Sequence, residues 1–321
     1  MRPFEYRRAT KPSDISAADR IIAGGTNILD LMKLEVEVPA QIIDINPLGM
    51  TEISEIDGGL RIGAMVRNTD CAADARVRRD YPLLARAILA GASPQLRNRA
   101  TTGGNLCQRT RCSYFMQPEA RCNKRDPGTG CDALHGVNRS HAIFGASENC
   151  IATYPGDMAV ALLALGASVE ILGRTGTRSV PIGDFHRLPE HQPAKDNLLE
   201  PGELISSVTL PPAMGGAQIY RKVRDRSSFA FALVSVAAAI TIADGRIRHA
   251  ALAFGSVAHK PWQDPAVETA LVGQEPSLKL FAQAADLLVG KAKAQSGNAF
   301  KIPLLRRALI AVLSEATNTE A

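Results

Sequence analysis

Five of the six cysteines, Cys107, Cys112, Cys122, Cys131 and Cys150, fall within 44 consecutive residues, and only Cys71 lies outside. The spacing is C-x4-C-x9-C-x8-C-x18-C. No helical or alternating apolar pattern runs through this stretch. Structureless segments longer than about 15 residues are uncommon in a compact domain and are usually functional or disordered. A disulfide framework is disfavoured in so large a chain. The residues Met1-Arg2-Pro3-Phe4-Glu5-Tyr6 show no apolar leader core and no small-residue cleavage site. Thiolates on a loop suit a soft metal centre. Structural zinc is the main rival, although zinc sites commonly use cysteine pairs two to four residues apart, which only Cys107 and Cys112 approach. His135 and His141 share the segment and keep zinc open. Unligated loop cysteines are the third reading. Cys71, in a helical pattern, reads as a small buried hydrophobe.

The flanking sequence contains two similar glycine turns, Ala23-Gly24-Gly25-Thr26-Asn27 and Thr101-Thr102-Gly103-Gly104-Asn105. The first follows an apolar strand and opens a helical run, Ile28 to Lys33. Backbone N–H groups on such turns can converge on one anion, and glycine lets a pyrophosphate approach closely. Neither turn matches G-x-G-x-x-G or G-x-x-x-x-G-K-[ST], so two ordinary turns remain the alternative.

Periodicity divides the chain into three expected units: 1–55, 56–214 and 215–321. Short strands at 41–45 and 59–64, a helical stretch at 69–91 and the irregular 107–150 segment come first. A helix at 157–166, a hairpin over 169–180 and a strand at 204–210 follow. The last unit reads as antiparallel strands, Phe229 to Ile242 and Ile247 to Phe254, backed by helices at 264–272, 277–294 and 302–316. A formal charge of +5, from 37 basic and 32 acidic residues, is too small to argue for nucleic-acid binding. No apolar run approaches membrane-spanning length, so no membrane insertion is expected.

Taken in order, several motifs resemble the FAD-binding (medium) subunits of the xanthine dehydrogenase and molybdenum hydroxylase family. They are the two glycine turns, Arg61-Ile62-Gly63-Ala64, Tyr154-Pro155-Gly156-Asp157-Met158, Leu199-Glu200-Pro201-Gly202-Glu203-Leu204-Ile205 and Tyr220-Arg221-Lys222-Val223-Arg224. The resemblance spans nearly the whole chain. It implies an α+β protein: a vanillyl-alcohol-oxidase/PCMH-type FAD-binding fold of two α/β subdomains, plus a C-terminal CO-dehydrogenase-flavoprotein-like domain. It also implies roles for residues. Ala23, Gly24, Gly25, Thr26 and Asn27 would hold the FAD pyrophosphate from one side, and Thr101, Thr102, Gly103, Gly104 and Asn105 from the other. Asp157 would accept hydrogen bonds from ribose or ribityl hydroxyls, or cap a helix. Leu204 or Ile205 would line the isoalloxazine, and Lys222 would lie near it or be a solvated surface charge. Two positions depart from the family: Gly156 replaces a serine, and Ser228-Phe229-Ala230-Phe231 replaces a stretch that carries a lysine in xanthine dehydrogenases, which argues against NAD as acceptor.

The cysteine segment resembles one branch, the FAD subunits of bacterial periplasmic aldehyde oxidoreductases. That resemblance implies a [4Fe–4S] cluster on Cys112, Cys122, Cys131 and Cys150, with Cys107 a bystander. The flanking Arg109, Arg111, Lys124 and Arg125 would be either cations tuning the cluster or solvated charge. No residue of this chain is expected to perform substrate chemistry. The implied partners are a small subunit with two [2Fe–2S] clusters, a large molybdenum-cofactor subunit and an external electron acceptor. The implied location is the periplasm, by folded co-export on a partner's signal, with the cytoplasm as alternative. Two other readings remain: a xanthine or CO dehydrogenase type flavin subunit without a cluster, and a zinc-stabilised binding or scaffold protein.

Overall fold

The computed structural model describes residues 1–319, whose strands form three separate sheets. The first is parallel: β1 (Glu5–Arg8), β2 (Arg20–Ile22) and β3 (Gln41–Asp44), in the order β1-β3-β2. Helix Ile28–Lys33 packs beside it through Ile28 and Met32, which share a small core with Ile42. The second sheet is antiparallel, in the order β4-β5-β8-β6-β7, with β4 (Ile53–Ile56), β5 (Gly59–Gly63), β6 (Ser168–Gly173), β7 (Gly176–Pro181) and β8 (Leu204–Leu210). β4 spans the seam expected at 55/56 and pairs with β5.

The third sheet is also antiparallel, in the order β11-β10-β9, with β9 (Ala217–Val223), β10 (Val234–Ala243) and β11 (Arg246–Gly255). Successive strand residues face opposite ways, and β10 uses both faces. Val236, Ala238 and Ile240 pack on the C-terminal helices Pro265–Leu271, Leu278–Val289 and Lys301–Thr317, while Ala237 joins the core of the second unit. That shared core is built on helix Met158–Ala164, all seven residues of which are buried. A helix apolar on every side is one enclosed on every side. With helix Pro82–Ala90 it fills the layer between the second and third sheets.

Several sequence expectations shift. The stretch 69–91 is three helices, Asn68–Ala73, Ala75–Asp80 and Pro82–Ala90. Asp74 interrupts it by accepting hydrogen bonds from the Arg76 and Val77 N–H groups, and Pro82 starts the last helix. The strand expected from Phe229 begins only at Val234, because Phe229 takes a left-handed backbone (φ 49°) that no strand accommodates. The segment 217–223, read as a motif alone, is itself a strand. The helix expected over 277–294 stops at Val289, before Gly290. Segment 107–150 contains one short helix, Ser113–Met116, and two isolated bridges, Cys122 with Cys131 and Ser147 with Cys150.

Candidate functional site

The two glycine turns meet across the seam between the first and second units. Gly24 packs directly on the Arg99 carbonyl, leaving no room for a Cβ, and Gly25 takes a left-handed φ of 78°. A side-chain bridge holds the turns together. Arg67 donates to the Arg99 carbonyl at 2.6 Å and to Asn46 Oδ1 at 2.9 Å, and Asn46 Nδ2 donates to the Ala23 carbonyl at 3.0 Å. Sequence reasoning missed both residues; neither lies in a motif, and only the fold brings them together.

None of the backbone N–H groups from Gly24 to Asn27 donates a hydrogen bond within the described residues. Asn27 Nδ2 is buried and also has no partner, while its Oδ1 accepts from the Arg109 N–H at 3.1 Å. Buried donors are rarely left unpaired, so Asn27 Nδ2, beside the free N–H groups of this half-buried, cavity-lining turn, suits an anionic ligand. The second turn opens helix Thr102–Leu106, where the Thr101 hydroxyl accepts from the Gly104 N–H at 3.1 Å. Thr102 lines no cavity at this junction, and its hydroxyl donates to the Val66 carbonyl.

Two cavities, of about 660 and 230 Å³, share Thr26, Asn27 and Gly104. Leu204 and Ile205 line the larger, with Ala23, Gly103, Arg109 and Cys107. Asp157 and Lys222 line the smaller, with Asn105, Ile88, Phe229 and Phe231. The expected isoalloxazine neighbours therefore stand in opposite lobes. Two lobes joined by free N–H donors fit a long ligand with an anionic middle, as FAD is.

Asp157 makes no side-chain cap at its helix. It accepts instead from Tyr220 Oη at 2.6 Å and from Lys222 Nζ at 2.7 Å. Lys222, at 4% side-chain exposure, is not a solvated charge; its ammonium also donates to the Ala90 carbonyl. Burial, and then the Asp157 charge, push the Tyr220 hydroxyl well above its ordinary value, keeping it a donor. Gly156, where the family has serine, is explained by space. A Cβ there would stand 2.6 Å from the Tyr154 ring and 2.7 Å from Gln108 Nε2, and the Tyr154 hydroxyl is tied to the Asn105 carbonyl.

Cys112, Cys122 and Cys150 are buried in one apolar core with Leu31, Val36, Phe115 and Ile151, and Cys131 packs against it. Cys71 belongs to the core of the second unit. Burial pushes the Cys112 thiol up to about 11 and that of Cys150 up to about 12, so without a metal both stay protonated at neutral pH. Two imidazoles touch the outer pair: His141 Nε2 lies 3.1 Å from Cys112 Sγ, and His259 Nε2 lies 3.2 Å from Cys150 Sγ. His259 comes from the C-terminal domain and was invisible to a reading confined to the cysteine segment. His135 is exposed. Among the described residues no three His, Cys, Asp or Glu side chains converge closely enough to hold a single metal ion, which goes against a mononuclear zinc site.

A chain of charges runs from this core to the larger lobe. Buried Lys124 pairs with Asp196 at 2.5 Å, Asp196 with Arg109 at 2.8 Å, Arg109 with Glu37 at 3.3 Å, and Glu37 with Arg20 at 2.6 Å. Burial would raise the Asp196 carboxyl, but Lys124 and Arg109 outweigh it and hold it below its ordinary value. Arg111 packs over the Phe231 ring and pairs loosely with Asp30. Arg125 donates to the Tyr114 and Phe115 carbonyls and so anchors helix Ser113–Met116.

Comparison with known proteins agrees with this geometry. Residues 1–213 match the family described as FAD binding domain in molybdopterin dehydrogenase, and residues 218–320 match the CO dehydrogenase flavoprotein C-terminal domain. The chain is 54% identical to the aldehyde oxidoreductase FAD-binding subunit PaoB of Escherichia coli (strain K12), covering 98% of this chain and 99% of that one. It is 25% identical to the carbon monoxide dehydrogenase medium chain of Afipia carboxidovorans, over 98% of each chain. Among solved structures, quinoline 2-oxidoreductase from Pseudomonas putida 86 superposes with a TM-score of 0.76 at 25% identity, covering 99% of this chain and 98% of that one.

Two outcomes test the geometry. Gly24→Ala forces the turns apart and lowers FAD retained through gel filtration at least about tenfold, equivalent to about 1.4 kcal/mol; full retention would contradict the close approach. Asp196→Asn destabilises the protein by about 3 kcal/mol at neutral pH, by leaving Lys124 buried and unpaired. Because the folded carboxyl titrates below its unfolded value near about 3.9, its contribution is complete above that value and is lost as pH falls through the folded pKa. Denaturant titrations across pH should therefore show the gap between wild type and variant constant above about pH 5 and closing in acid. A gap that widens in acid would contradict the assignment.

Proposed function

Because the chain belongs to the FAD-binding medium subunits of the xanthine dehydrogenase and carbon monoxide dehydrogenase family, we propose that it is the electron-transfer flavoprotein of a heterotrimeric molybdenum-dependent aldehyde oxidoreductase. That it is the FAD-binding subunit of an aldehyde oxidoreductase complex of this type follows from the 54% identity over essentially the whole chain. The observation that supports FAD as the cofactor in this role is the row of free N–H donors from Gly24 to Asn27, with the unpartnered Asn27 amide, at the junction of two lobes. When bound, FAD would supply two-electron and one-electron chemistry; in this reading the electrons would come from [2Fe–2S] centres of a small subunit, fed by a large molybdenum subunit, and would go to an external acceptor.

The residues of this chain bind and orient. Gly24 to Asn27, with Gly103, Gly104 and Asn105 opposite, hold the pyrophosphate. Leu204 and Ile205 serve one half of the dinucleotide; Asp157 and Lys222 serve the other, their mutual ion pair keeping both charges satisfied in a poorly solvated lobe.

Cys112, Cys122, Cys131 and Cys150 would hold a [4Fe–4S] cluster. Cys112, Cys122 and Cys150 share one apolar core and Cys131 packs against it, the four-thiol donor set such a centre takes. The assembled complex would work in the periplasm, carried there folded on a partner's signal.

The test is anaerobic addition of an aldehyde to the assembled complex, with Cys131→Ser as variant. The reading expects flavin to bleach without added acceptor and to recover with one, and expects Cys131→Ser to lose the iron of this chain, about four atoms per polypeptide. Flavin that stays oxidised, or a variant that keeps all its iron, would overturn it. Recovery of the complex only in the cytoplasmic fraction would overturn the location.

A further inference from the structure

We propose that His259 and His141 donate N–H···S hydrogen bonds to Cys150 and Cys112 and thereby raise the reduction potential of the iron–sulfur centre, with buried Lys301 pinning both imidazole-bearing segments. The proposal rests on the cluster assignment above.

The geometry fixes the direction of the bonds. In both rings Nε2 faces sulfur, at 3.2 Å for His259 and 3.1 Å for His141, and in both rings Nδ1 is buried without a partner. A proton on Nδ1 would be a buried donor with nowhere to go, which is the costlier way to leave that atom. The proton therefore sits on Nε2. A metal-bound thiolate can only accept, so each contact is a donor aimed at the centre's negative charge. Hydrogen bonds to cluster sulfurs favour the more negative, reduced state and raise the potential.

Lys301 supplies the second observation. Its side chain is fully buried in the C-terminal domain, and its ammonium donates to the carbonyls of Ser140, His141 and Ser256 at 2.8–2.9 Å. No carboxylate lies within 4.0 Å of it among the described residues. Burial lowers the Lys301 amine to about 7, and its three carbonyl acceptors tie the Ser140–His141 stretch to Ser256. Asn298 reinforces the clamp by donating to the His141 and Ala142 carbonyls, and the 143–144 and 256–258 segments are joined by Ile143 and Phe144 N–H bonds to the Val257 carbonyl. The C-terminal domain thus reaches the centre through His259 and fixes where both rings stand.

The test is a redox titration of the purified complex, followed by the electron paramagnetic resonance of the reduced cluster, with iron counted per polypeptide. His259→Leu is expected to keep its iron and to shift the midpoint downward by about a tenfold change in the reduced-to-oxidised ratio, 59 mV for a one-electron couple. His259→Gln, whose amide N–H can occupy the Nε2 position, is expected to recover most of the shift. Should His259→Leu lose iron, His141→Leu reads the same effect at Cys112. Unchanged midpoints in iron-replete Leu variants, or a Gln variant as low as the Leu variant, would overturn the proposal. A wild-type chain with no cluster signal would instead overturn the cluster assignment, and this inference with it.

Discussion

The contact of Gly24 with the Arg99 carbonyl sets the geometry of everything around it. With no side chain between them, two turns from different units close to backbone distance, and Arg67 and Asn46 hold them there. Any Cβ at Gly24 would open this seam. With the seam closed, the N–H groups of the first turn have no partner among the described residues and lie at a junction between two lobes. The binding site is thus a consequence of how the first unit is docked on the second, with backbone donors left over by that docking.

The same economy governs the rest of the chain. Helix Met158–Ala164 is enclosed by the second and third sheets, and Asp157 at its start is held by Tyr220 and Lys222 from β9. The C-terminal domain therefore completes the smaller lobe and also, through His259, touches the cysteine core, while Lys301 ties Ser140 and His141 to Ser256. The charge chain from Lys124 through Asp196 and Arg109 to Arg20 spans the distance between that core and the larger lobe. A long irregular segment with few backbone bonds of its own is held by what surrounds it.

Much of this was legible in residue order, and the exceptions have physical causes. Strand alternation and turn chemistry located the hairpin of β6 and β7 and the strand β8, because local patterns determine local structure. The glycine turns were recognisable individually, but their contact depends on tertiary docking, as do Arg67 and Asn46. The apolar run from Phe229 looked continuous with β10, yet a left-handed Phe229 turns its first residues into the edge of the smaller lobe. The cysteines stood out by clustering. His259 did not, because it lies 109 residues from the sulfur it touches. Lys222 and Lys124 each read either as a cation beside a cofactor or as solvated charge; only the fold shows each buried against a carboxylate.

The central proposal is that this FAD-binding subunit also carries an iron–sulfur centre. Its most direct test is quantification of flavin and iron in the protein purified anaerobically with its partners, combined with the absorption spectrum of the isolated chain. The account predicts about one FAD per chain and, on this chain, about four irons with broad absorption beyond the flavin bands. Flavin without iron would contradict the cluster, and absence of both would contradict the account as a whole.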